Sequence, residues 1–134
     1  MDNARFLDLL ENLCRRPAMF TGERTVESVS VFLTGYFIGV SHAAPEEPGL
    51  PMDSGWSRWI ETRYDVFHPA WPWRRILLHH HADDQGVFEV LPSLYGQFLA
   101  ERDACGTDGI EARHQDRFKG RSPVPAHTHT VDPR

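Results

Sequence analysis

The stretch from Arg15 to Gly39, RRPAMFTGERTVESVSVFLTGYFIG, constrains the fold more than any other part of the chain. It reads as a helix end, a turn punctuated by proline and glycine, and then a capped apolar helix. The residue before a proline is pushed out of the α region, so Pro17 closes a helix over about residues 3–15. In that helix Phe6, Leu9, Leu10 and Leu13 recur three and four apart and form one apolar stripe. Asp2 or Asn3 is suited to cap its start. Residues 17–24 are expected to turn, with Gly22 supplying a positive φ and with Met19 and Phe20 folded back onto the core. Thr25 is an N-cap for the next helix, and Glu27 stands in its first turn, at the positive end of the dipole.

In that helix Val29, Phe32, Leu33, Tyr36 and Val40 lie on one side. Gly35 and Gly39 share a face. Each glycine costs about 1 kcal/mol against alanine in a helix interior. Two of them are expected to mark close packing by another helix or loop. The alternatives are a ligand pocket roofed by bare backbone, or a face that meets its own copy. The apolar run from Val29 to Val40 is too short to span a bilayer and is interrupted by Thr34 and the glycines. The segment MDNARFLDLLENL carries acids where a secretory signal would carry a basic start. The expected compartment is the cytosol.

Residues 44–53, APEEPGLPMD, read as a loop. Asp53 or Ser54 then caps a helix to about Tyr64, whose apolar edge is Trp56, Trp59, Ile60 and Tyr64. The aromatic loop DVFHPAWP follows. Pro72 suits the first position of a helix over 72–82. A last helix is expected over about 85–103, with a stripe of Val87, Phe88, Leu91, Leu94, Tyr95, Phe98 and Leu99. Pro92 sits inside it and predicts a kink or a restart. From Cys105 onward the periodicity thins. Only Ile110, Phe118, Val124 and Val131 remain as sizeable anchors, and a loosely ordered tail is expected. The reading is an all-α fold: a compact bundle of four to five helices in one domain over 1–104, with an irregular tail over 105–134.

The stretch from Leu9 to Gly39 resembles a group of small bacterial helical proteins. Their pattern is a helix ending in Arg-Pro, then Met, an aromatic, Gly, a capping Ser or Thr, and an apolar helix closing with Gly-Tyr. Here these are Arg16-Pro17, Met19-Phe20, Gly22, Thr25, Phe32-Leu33 and Gly35-Tyr36. Trp56, Trp59, Arg63 and Tyr64 continue the likeness, and Trp71 or Trp73 completes it. It covers about residues 6–102, and Thr21 departs from it where an apolar residue is common. Some of that group resemble immunity proteins of secreted toxins. The resemblance implies a compact helical protein that inhibits a toxin stoichiometrically, and it supplies no catalytic residues.

Chemistry in the sequence centres on His79-His80-His81 with Asp83 and Asp84. Residues four apart share a helix face, so His79 with Asp83, or His80 with Asp84, is a candidate metal-ligand pair. A third ligand would come from His42 or His68. This supports the alternative reading, a metal-binding enzyme or sensor. His127 and His129 are a weaker pair. Cys14 lies on the apolar edge of the first helix and is expected to be buried. With only two cysteines, Cys14 and Cys105, no disulfide framework is expected. Phosphate-loop, nucleophile-elbow, His-Glu-x-x-His and dinucleotide patterns do not occur.

The net charge is −5, which argues against a nucleic-acid partner and leaves a protein with a basic surface as the expected one. The residues read as partner-binding are Glu46, Glu47, Asp83 and Asp84 for charge, and Phe67 and Trp71 for exposed apolar contact. Trp56, Trp59 and Trp73 are expected inside. The function expected is thus a non-enzymatic, immunity-like binding module that occludes its partner, with no cofactor, and with homo-oligomers allowed.

Overall fold

A computed structural model describes residues 3–44 and 55–121. Its elements are α1 (Asn3–Arg15), α2 (Pro17–Thr21), α3 (Val26–Ala43), α4 (Trp56–Tyr64), α5 (Trp73–His81) and α6 (Asp84–Arg117). The fold is all-α, and the described residues contain no strand. No helix among them is long and apolar enough to cross a membrane.

Local chemistry sets most of the boundaries. Pro17 takes the first turn of α2, where its missing N–H costs nothing. Gly22 ends that helix with φ +84° and donates its N–H to the Ala18 carbonyl. Only glycine adopts that conformation without strain. The Thr25 hydroxyl accepts from the Ser28 N–H at 3.1 Å and caps α3. Gly55 precedes α4, and Asp53 and Ser54, expected to cap it, lie outside the described residues. The same holds for the loop residues 45–53, which include Glu46 and Glu47. Pro72 stands one place earlier than expected, as the N-cap of α5.

α6 is the strut of the molecule. It packs chiefly against α4 and α1, and more lightly against α5 and α3. The helix continues through Pro92. Its break comes instead at Gly106, with φ +75° and ψ 169°. Beyond that point the chain returns to helix and reaches Arg117, where a loose segment was expected from Cys105. Ile110, His114 and Phe118 are buried there, one turn apart. Phe118 stacks on Phe67 with ring centroids 4.8 Å apart. His114 Nε2 donates to Glu61 Oε1 at 2.7 Å. Residues 122–134, with His127 and His129, lie outside the described residues.

Two other expectations are corrected. Met19 and Phe20 face outward, 72% and 38% exposed, because the short α2 docks against α1 and α3 with Pro17 buried. Gly35 and Gly39 are exposed, and a Cβ at either would meet nothing within 4 Å. The face they share packs against no other described part of the chain.

Ile110 tests the last turns of α6. Replacing Ile110 by Ala deletes a fully buried aliphatic side chain and is expected to cost about 2–4 kcal/mol in urea unfolding. A change near zero would place this segment outside the cooperative core.

Candidate functional site

The three histidines of α5 diverge, as successive helical residues must. The His79 ring lies edge-on to Trp71, 5.3 Å between centroids. His80 Nδ1 donates to the Ile76 carbonyl at 3.0 Å. His81 Nε2 shares a 2.8 Å hydrogen bond with the Tyr64 hydroxyl. The carboxylates expected beside them are engaged elsewhere. Asp83 Oδ1 accepts from the Gly86 N–H at 2.8 Å and caps α6. Asp84 Oδ1 accepts from the Val26 N–H at 2.7 Å, at the start of α3. The expected pairs His79–Asp83 and His80–Asp84 do not form, because both acids satisfy helix N-termini. Among the described residues no three His, Cys, Asp or Glu side chains are grouped to hold a metal ion.

Phe67 and Trp71, expected as exposed contacts, are half-buried. Phe67 is covered by Phe118, and Trp71 stacks on His68 while the Arg75 guanidinium sits 4.8 Å from its ring. Trp56 and Trp59 are buried as expected, and Trp73 is half-buried. A cavity of about 320 Å³ opens between the loop after α4 and α5, lined by Tyr64, His68, Trp71, His79, His80 and Arg121 among others. Burial pushes the Tyr64 phenol above its ordinary value, against the opposing pull of Arg63. At its rim, hydrogen bonds from Arg121 (2.8 Å) and Arg117 (3.1 Å) hold the Asp65 carboxyl below its usual range. With that ion cluster closed on itself, Arg121 is committed to Asp65.

A larger depression, about 590 Å³, runs between α1 and α6. Leu7, Phe88, Pro92 and Gly96 supply apolar surface, and Glu11 and Glu89 stand on opposite sides as exposed carboxylates. Arg15 also borders it, as does Gln85 in the first turn of α6, next to Asp84. Gln85 is held there by Arg24 (2.6 Å) and Glu89 (3.3 Å). The small residues Ser93 and Gly96 leave this space unfilled. The sequence carried a signal in the one-face spacing of Gln85, Glu89, Pro92 and Gly96, but only the α1 contact turns that face into a groove.

Cys14 also borders this groove, yet it is buried. Desolvation pushes its thiol up to about 12, so it is inert as a nucleophile near neutral pH. No family model matches the chain, and no curated protein or solved structure does either.

Cys14 gives a pH signature. Its folded value, about 12, exceeds the ordinary value of 9.0. The unfolded chain therefore loses this proton first, and stability falls as pH rises between the two values. In that window the folding equilibrium should weaken by up to about tenfold per pH unit. Cys14→Ala should flatten this slope in pH-dependent unfolding. Below pH 9 the native protein should not react at this position with a thiol reagent.

Proposed function

We propose that this chain is a non-enzymatic binding protein that neutralises a basic protein partner by covering its surface, as immunity proteins do. The observation that supports this most directly is the groove between α1 and α6. Its floor is apolar and its two walls carry Glu11 and Glu89. An apolar floor supplies desolvation energy on contact, and flanking carboxylates steer and orient a cationic segment. Asp83 and Asp84 stand beside Gln85 at the same corner, Asp83 accepting from the Gly86 N–H of α6 and Asp84 from the Val26 N–H of α3. The partner that fits is an amphipathic helix or loop with lysines or arginines flanking an aliphatic anchor. The resemblance to immunity-like proteins points the same way, as does the net charge of −5.

The test is affinity capture from the native host with the wild type and the Glu11→Arg/Glu89→Arg variant in parallel. The reading requires a basic protein, retained at low salt, that the wild type binds and the double variant loses by about 100-fold or more in Kd, about the scale of two hot-spot charges. Both side chains are exposed, so circular dichroism should find the variant fully folded. A partner bound equally well by both proteins removes the groove from the function.

A further inference from the structure

The two parts of α6 on either side of Gly106 are held by different means. Before the break, seven hydrophobic side chains between Val87 and Leu99 are buried. After it, among residues 107–121, only Ile110, His114 and Phe118 are. Ile110 lies on the bare backbone of Gly55, where a Cβ would stand 3.3 Å from its Cγ2. Phe118 covers Phe67, and His114 is held by Glu61. The other ties are ion pairs in water: Arg113 with Glu101 at 2.8 Å, Arg58 with Glu111 at 3.7 Å, and Arg117 and Arg121 together on Asp65. Exposed pairs contribute little and are screened by salt. A buried pair such as His114–Glu61 gains little beyond its own desolvation cost. Residues 107–121 therefore dock through two apolar side chains, against seven for the part before Gly106.

The joint between the parts is soft. At φ +75° and ψ 169°, Gly106 occupies backbone space that is essentially glycine's alone. Gly109 is bare because Cys105 fills its place: a Cβ there would come within 2.8 Å of the Cys105 Sγ. We propose that residues 107–121 form a hinged strap that leaves α4 as one unit, turning at Gly106, while the rest of the bundle stays folded. Local opening of this kind belongs to the segment with the fewest buried apolar contacts. α4 keeps its seat without the strap, since Trp56 and Trp59 pack on Phe98, ahead of the hinge. Asp65 is the latch. It stands at the C-cap of α4 and accepts from both arginines through one oxygen, Oδ1. Release of the strap bares Phe67 and Glu61 and takes Arg121 from the wall of the 320 Å³ cavity between the loop after α4 and α5. The strap thus sets how far that cavity is open.

The experiment is native-state hydrogen exchange on the full chain at low urea, read by mass spectrometry, with wild type, Asp65→Asn and Val29→Ala. In the wild type, amides 111–117 should open about 100-fold more often than amides 91–99 and with a smaller urea dependence, because less surface is exposed. The boundary between the two sets should fall at Gly106. Asp65→Asn, or about 1 M salt, should raise opening of 111–117 by about tenfold. Carbethoxylation of the buried His114 should quicken by the same factor. Val29→Ala weakens the core on α3, so it should speed exchange at 91–99 by about tenfold or more and leave 111–117 unchanged. Equal opening of both sets in the wild type overturns the proposal. So does an Asp65→Asn protein whose strap amides are unaltered, or a Val29→Ala protein in which both sets quicken together. The groove between α1 and α6 lies wholly ahead of the hinge, so this result stands or falls apart from it.

Discussion

A line of touching aromatic rings holds the helices together. Trp73 of α5 meets Trp56 of α4 at 5.7 Å, Trp56 meets Tyr95 of α6 at 5.1 Å, Tyr95 meets Phe6 of α1 at 5.0 Å, and Phe6 meets Phe37 of α3 at 5.2 Å. Five helices thus hang on one chain of contacts, with Trp56 and Tyr95 fully buried at its centre. Large planar side chains bury much area for few frozen rotors. This suits a bundle whose helices α4 and α5 have only nine residues each.

Much of this was legible from residue spacing. The stripe of Phe6, Leu10 and Leu13 and the Thr25 cap predict α1 and α3 where they stand. Trp56 and Trp59 are inside as their spacing predicts, whereas Trp73, expected with them, is half-buried. The end of α6 was not legible, for a physical reason. Ile110, His114 and Phe118 keep the helical period, but with one apolar or aromatic residue per turn, and the middle one is a histidine. Its burial depends on Glu61, far away in sequence. Gly106 and Gly109 lower the local helix propensity further. No local pattern carries that information.

The candidate surfaces show the same division. Asp83 and Asp84 were recognisable as helix-end residues, yet their acceptance of the Gly86 and Val26 N–H groups depends on how α5 returns the chain to α3. The glycines of α3 were recognisable as a place for close approach. Which neighbour approaches is a tertiary matter, and within the described chain there is none. Of the groove between α1 and α6 only the α6 half, Gln85, Glu89, Pro92 and Gly96 on one face, could be read from spacing, because the other wall lies far away in sequence. Burial places Cys14 outside the reactive chemistry of the molecule, in line with its apolar position in the sequence.

The bond from Asp84 to the Val26 N–H ties the first turn of α3 to the first turn of α6. Two adjacent acids therefore serve two helices that the chain visits at different times. During synthesis α3 can coil early, with the Ser28 N–H capped locally by Thr25, but the Val26 N–H lacks its carboxylate partner until residue 84 has left the ribosome. The corner where α3 and α6 begin can thus close only after residue 84 has emerged, and protection of the Val26 amide from exchange would report that the chain has passed that point.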